Sequence, residues 1–255
     1  MAAASSTVFS RTQATLGPSH GTTLVRKLEL ALALTKTASV GEAKRLLRDI
    51  IAHAWPPWLC AVSKVELARV LRDSGEVRAA TDLLEQLVHC LAGETAPWAQ
   101  HEYIEACTLF GACCVDLGRL DQAETLLFRV MKSYLHNENS SARKVVECMR
   151  LIADYYEARC NFTLVLETHR AIVKIMGREE LDPSRVALAN IDLAKAEVLV
   201  GEPSASARLR SAILVLRKRK HDKRAREALP DARKTLASLI KPKRRLFKKT
   251  FPEDC

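Results

Sequence analysis

The chemistry open to this 255-residue chain lies in eight cysteines, seven histidines and a formal excess of ten positive charges. The cysteines at 60, 90, 107, 113, 114, 148, 160 and 255 form no CxxC pair, and no histidine stands at zinc-finger spacing from them, so no metal is expected. The histidines at 20, 53, 89, 101, 136, 169 and 221 show no HExxH spacing. A Gly-rich phosphate loop and a Ser or Cys nucleophile motif are also missing, so neither catalysis nor a cofactor is expected. Most cysteines fall among the apolar positions of helical stretches, where a free thiol behaves as a small hydrophobe. Buried structural thiols in a reducing compartment follow.

What the spacing does offer is recognition. His101 with Glu105, Arg143 with Glu147 and Arg150, and Arg185 with Asp192 recur at helical separations, so each set shares a helix face. Such a face suits a bound peptide, and suits solvated salt-bridging pairs equally. A second contact surface lies at the end of the chain. Residues 1–216 hold 25 basic and 25 acidic residues, whereas 217–249 hold 15 basic against three acidic. One cluster runs through Arg217, Lys218, Arg219, Lys220, Lys223 and Arg224, and another through Lys241, Lys243, Arg244, Arg245, Lys248 and Lys249. Charge segregated in this way suits nucleic-acid phosphate, lipid headgroups or an acidic protein surface, and also a nuclear import signal or a solvated tail.

The elements that carry these residues repeat. Aromatics are only 5% of the chain, and nine Gly with nine Pro are too few to punctuate a many-stranded sheet, so the fold class is all-α. A helix-turn-helix phrase recurs with turns at Ala38, Gly75, Gly118, Cys160 and Gly201. Before each turn comes a bulky-small pair: Leu30-Ala31, Leu67-Ala68, Phe110-Gly111, Ile152-Ala153 and Leu193-Ala194. Five residues after the turn stand Ala43, Ala80, Ala123, Val165 and Ser206, and twelve after it stand Ile50, Leu87, Val130, Ile172 and Ile213. Small side chains let antiparallel helices approach and bulky neighbours fill the grooves beside them, so these positions are the expected crossing points.

With this period near 42, the chain resembles the tetratricopeptide (TPR) family, in particular the long repeats of kinesin light chain-like proteins. The copy that carries the resemblance best runs Leu166-Glu-Thr-His-Arg-Ala-Ile-Val-Lys-Ile-Met-Gly177, then from Asp182-Pro183 to Leu193-Ala194 and Gly201. The resemblance covers about residues 24–216. It implies a right-handed superhelical solenoid of about five helix pairs, with first helices lining a concave groove that takes up peptide or helix segments of other proteins. Where many light-chain repeats carry an Asn before the Leu-Ala pair, this chain has Glu29, Glu66, Leu109, Leu151 and Asp192, and Asn190 lies two residues out of register. No ligand residue is therefore carried over.

The expected organisation is a disordered segment over 1–23, repeats over 24–216, a basic capping helix over 217–240 with a break at Pro230 and a stripe of Ala232, Leu236, Leu239 and Ile240, and a basic disordered tail over 241–255. Arg11, Arg26 and Lys27, the basic residues before the first acidic one at Glu29, faintly suggest a transit peptide. No apolar run is long enough for a membrane span. These features point to a non-catalytic adaptor in the cytoplasm. The alternatives are an organellar matrix or the nucleus, and an RNA-associated repeat protein using its basic end.

Overall fold

The computed structural model describes residues 2–37, 39–53, 56–137, 140–178, 182–219 and 221–249, with Ala2 and 240–249 described by backbone alone. Its described elements are twelve helices and no strand. They group into two compact units, residues 1–136 and 137–255.

The first unit opens with α1 (Ala2–Leu16), followed by three hairpins: α2 (Gly21–Leu34) with α3 (Val40–His53), α4 (Pro57–Asp73) with α5 (Val77–Leu91), and α6 (Pro97–Asp116) with α7 (Leu120–His136). The second contains α8 (Ala142–Ala158) with α9 (Phe162–Arg178), α10 (Pro183–Val200) with α11 (Ala205–Lys218), and α12 (Lys223–Lys249). These five hairpins are the five sequence phrases. Ala31, Ala68, Ala153 and Ala194 are all buried, and so are the bulky residues before them. Gly111 sits at the matching point of α6, where a Cβ would lie 2.7 Å from Leu127 Cδ2 of α7. Ala43, Ala80, Ala123 and Val165 occupy the facing positions and are buried. In the fifth copy Ala205, one residue earlier than Ser206, takes that place, and Leu209, Ala212 and Leu216 continue its stripe.

Four turns close in one way. After Gly75, Gly118, Cys160 and Gly201 the next N–H reaches back to Leu71, Cys114, Tyr156 and Glu197 carbonyls at 2.8–2.9 Å. The turn residues themselves donate to Arg72, Val115, Glu157 and Val198. This Schellman pairing satisfies carbonyls at the helix end and needs a left-handed residue at the corner. The three glycines and Cys160, at φ 58°, supply it. Ala38 lies outside the described residues. An L side chain in this conformation is strained, and Cys160 is exposed, with no packing to lose. Cys160→Gly is expected to stabilise the second unit by about 0.5–1 kcal/mol. A urea midpoint that rises at unchanged slope is the check; an unmoved midpoint would show that the corner is unstrained.

The chain start departs from expectation: residues 2–16 form a helix rather than a disordered segment. Thr7, Thr12 and Thr15 hydroxyls turn back onto carbonyls four residues earlier, and Thr23 Oγ1 donates to the Thr12 carbonyl from α2. The Phe9 ring of α1 lies 5.8 Å from Lys27 Nζ. Lys27 is buried and paired with Asp49 of α3, whose carboxyl that hydrogen bond pulls below its ordinary value, while Arg26 pairs with Glu29 at 2.8 Å. Two of the three basic residues that suggested a transit peptide thus have partners inside the fold.

At the other end, α12 caps the second unit. Ala225 and Ala232 are buried in a cluster with Ile191, Leu209, Ile213 and Leu216, and Leu229, Leu236 and Leu239 pack against it. The helix runs through Pro230 and Pro242 to Lys249, so neither the break at Pro230 nor the boundary at 240 is observed. An interior proline costs about 3 kcal/mol. The apolar face on both sides of Pro230 holds the two halves in line, and the ring is exposed. Ile240 and the side chains from Lys241 to Lys249 lie outside the described residues.

Of the seven described cysteines, Cys107, Cys113, Cys114 and Cys148 are buried, as most were expected to be; Cys90 and Cys160 are exposed. Burial pushes the thiols of Cys113 and Cys114 up to about 11 and that of Cys148 to about 12, so they stay protonated. Among the described residues no helix is long and apolar enough to cross a membrane.

Candidate functional site

The second unit holds the candidate site. Ser141 caps α8, its side chain accepting from Arg143 N at 3.3 Å, and the helix then projects Arg143, Val146, Glu147 and Arg150 along one face. Asp182 caps α10 and Pro183 occupies its first position, placing Arg185 and Leu188 opposite. Asp222 Oδ1 accepts from Arg224 N at 2.9 Å and starts α12 with Arg224 on the same side. The last turns of α9 supply Ile175 and Met176 beneath. Together these residues line a cavity of about 230 Å³ with an apolar floor and a rim of four guanidiniums against one carboxylate.

The structure thus gathers Arg143, Glu147, Arg150 and Arg185 in one place, and adds Arg224 from the basic end. Arg143 Nε donates to Glu147 Oε1 at 3.0 Å. Arg150 Nη2 stands 3.7 Å from Asp192, and its buried Nε has no hydrogen-bond partner. Among the described residues no carboxylate is within ion-pair distance of Arg185 or Arg224.

Asp192 does not join Arg185 as their shared spacing suggested. It turns to the other side of Arg150, into a second cavity of about 290 Å³ lined also by Asp154, Glu157, His169 and Lys195. Burial pushes the Asp192 carboxyl up, against the pull of Arg150 and His169. Burial likewise pushes His169 below its ordinary 6.5, opposed by Asp192 and Glu157 and aided by Arg150. A histidine whose folded value is lowered charges first in the unfolded chain. Its contribution to stability is therefore full above about pH 6.5 and declines as the pH falls from there toward the folded value. Asp192 works in the opposite sense, from the ordinary 3.8 of a carboxyl up to its raised folded value. The second unit is expected to lose stability as the pH falls below about 6.5, and His169→Gln to flatten that slope. Urea midpoints across the range check this; equal slopes in both proteins would remove His169 as the cause.

His101 and Glu105 lie on α6 in the first unit, His101 exposed and Glu105 4.0 Å from Arg69. Neither lines the cavities of the second unit. Of the first basic cluster, Arg217 and Lys218 end α11, Arg219 stands 3.7 Å from Asp182, and Lys223 pairs at 3.8 Å with Glu227, while Lys220 lies outside the described residues. Sequence spacing missed a further polar cluster. Arg208 of α11 donates to Glu197 Oε1 at 3.0 and 2.9 Å and to Asn190 Oδ1 at 3.1 Å. Asn190 also donates to the Val186 carbonyl, so its amide is used inside the fold. Glu197 carried no signal among its neighbours, because only the hairpin's closure buries it. Among the described residues no group of three or more His, Cys, Asp or Glu is placed to hold a metal.

No family model matches the chain, and no curated protein matches it significantly. Solved structures do. A crystal structure of nearly identical TPR-like repeats, from a protein assigned as a Podosopora anserina kinesin light chain, superposes with a TM-score of 0.65 at 21% identity, over 78% of this chain and 97% of that one. BtubC (BKLC) from P. vanneervenii gives a TM-score of 0.70 at 15% identity, over 86% and 89%. MamA from Desulfovibrio magneticus RS-1 gives 0.51 at 15% identity, over 75% and 96%. The chain has the TPR-like helical-repeat fold, shared with kinesin light chain-like repeats.

Proposed function

We propose that the chain is a non-catalytic interaction scaffold that holds a peptide or helix segment of another protein against the first helices α8 and α10. The observation that carries this reading is the cavity between them, where polar residues surround an apolar floor built by Val146, Ile175, Met176 and Leu188. Such a mixture suits a protein segment, which offers side chains to the floor and polar groups to the rim. The fold shared with TPR-like repeats supports the same role, since stacked hairpins are rigid carriers of extended surfaces. His101 and Glu105 of α6 are the corresponding contacts we assign to the first unit.

Capture from native lysate by the full chain tests this. Partners retained by the wild-type chain and lost by Arg143→Glu/Arg185→Glu support the groove. The same partners at the same yield with both proteins, or none with either, would overturn it. The RNA-associated alternative rests on the whole basic end, 217–255, of which the side chains from Lys241 to Lys249 lie outside the described residues; the cavity lining holds no aromatic residue on which a base would stack. Salt-dependent gel shifts with and without residues 217–255 separate the two. Cytoplasmic, organellar or nuclear residence is read by imaging the tagged chain with and without its first 27 residues and its basic end.

A further inference from the structure

We propose that the cavity of the second unit is a receptor for a phosphorylated side chain, so that the scaffold takes up its partner segment in the phosphorylated state. This deepens the groove reading and rests on it. Four guanidiniums, from Arg143, Arg150, Arg185 and Arg224, face a space of about 230 Å³ that contains a single carboxylate, Glu147. The lining residues carry four positive charges and one negative, a net of +3 offset in part by Asp192 standing 3.7 Å from Arg150 outside the lining, around a volume too small for several separate acidic side chains.

The backbone adds to this field. Arg143, Arg185 and Arg224 each lie in the first turn of their own helix and reach the cavity from there, and Ala142, the first residue of α8, lines it as well. None of these three first turns contains an acidic residue. Helix N-termini carry partial positive charge and favour anions. The caps Asp182 and Asp222 accept from their own helices, and neither lines the cavity. Among the described residues no carboxylate stands within ion-pair distance of Arg185 or Arg224, although the Arg224 charge reaches the Asp222 carboxyl, and the Arg150 Nε is a buried donor without an acceptor. An occupant that accepts several N–H bonds at one point suits the arginines that line this cavity.

A phosphomonoester does so best. It carries nearly two charges and three acceptor oxygens on one atom, and guanidinium forks meet it with paired hydrogen bonds. A carboxylate offers one charge and two oxygens. The aliphatic floor beside the rim fits a neighbouring apolar side chain of the same segment. A nucleotide base would look for an aromatic face, which the lining lacks.

The test uses the full chain and a degenerate peptide library with a central phosphoserine, beside the same library carrying serine or glutamate there. Retention of the phosphoserine library about tenfold or more above both others is expected. Arg185→Ala/Arg224→Ala should lower it by a further about tenfold or more, while Arg185→Lys/Arg224→Lys keeps part of it. Arg224 is exposed and Arg185 half-buried, and circular dichroism of the variants checks the fold. Retention should also weaken as the pH falls through about 6, where the phosphate takes up its second proton. Equal retention of the three libraries, no retention of the phosphoserine library, or insensitivity to both arginines would each overturn the proposal. So would phosphoinositide vesicles bound with the same arginine dependence while the peptides are not. Equal retention of all three libraries with loss in the arginine variants leaves the scaffold reading standing; failure of that reading is seen separately in lysate capture.

Discussion

Arg208→Ala is expected to destabilise the second unit by about 3–5 kcal/mol, the penalty for leaving a buried charge without its partner. Glu197 is 1% exposed and sits where α10 ends and α11 returns. Both its ion-pair contacts come from Arg208, at 2.9 and 3.0 Å to Oε1, and no donor reaches Oε2 among the described residues. Removing the guanidinium also strips Asn190 Oδ1 of its donor. The loss therefore exceeds what exposed pairs such as Arg143–Glu147 give, which is about 0–1 kcal/mol. If the charge is the cause, Glu197→Met in the Arg208→Met background should recover most of the loss, because two apolar side chains of similar length need no partner. Thermal or urea unfolding of the three variants decides it. A double variant as unstable as Arg208→Ala would show that packing, not charge, was removed.

Gly111→Val is expected to lower the stability of the first unit by about 3 kcal/mol, the upper end of what overpacking costs. Gly in a helix interior is itself unfavourable by about 1 kcal/mol relative to Ala, so its presence in α6 needs a reason. The reason is Leu127: a Cβ at 111 would stand 2.7 Å from its Cδ2 and 2.8 Å from its Cγ. Leu127 is fully buried and cannot swing into solvent. A β-branched side chain at the helix crossing must push α6 and α7 apart. In a double-mutant cycle, Gly111→Ala with Leu127→Ala should lose less than the sum of the single losses, by at least about 1 kcal/mol. Strict additivity would place the strain elsewhere.

Gly111 also shows why the architecture was legible without coordinates. A small residue beside a bulky one, placed at the same distance from a turn in five copies, has a single economical cause, the close crossing of paired helices. The corner residues were legible for a similar reason, since a left-handed corner selects glycine. Even Cys160, the misfit, adopts the conformation of its glycine counterparts. What failed was local propensity near the ends. Ser- and Thr-rich composition over 1–23 reads as coil, yet the hydroxyls fold back onto their own helix and Phe9 finds Lys27 on α2. Pro230 reads as a break, yet the apolar face on both sides of it is long enough to keep α12 whole.

The site was legible only in part. Arg143, Glu147 and Arg150 share a face of one helix, so spacing alone brings them together. Arg185 comes from another hairpin, and Arg224 from a segment whose charge read as an undivided cluster. Their convergence depends on where α10 and α12 begin, set by the caps Asp182 and Asp222, and not on any periodicity. Asp192 illustrates the converse. It lies seven residues from Arg185 on the same helix, but Arg150 of the neighbouring hairpin holds its carboxylate in a different cavity.

The Schellman corners have a kinetic consequence. Each is closed by hydrogen bonds spanning no more than six residues, and in both units a helix packs chiefly on the one before and the one after it in the chain. Almost nothing has to be brought together across a long loop, so the entropy of loop closure is met in small steps rather than one large one. A nucleus can arise at any hairpin and spread outward like a zipper.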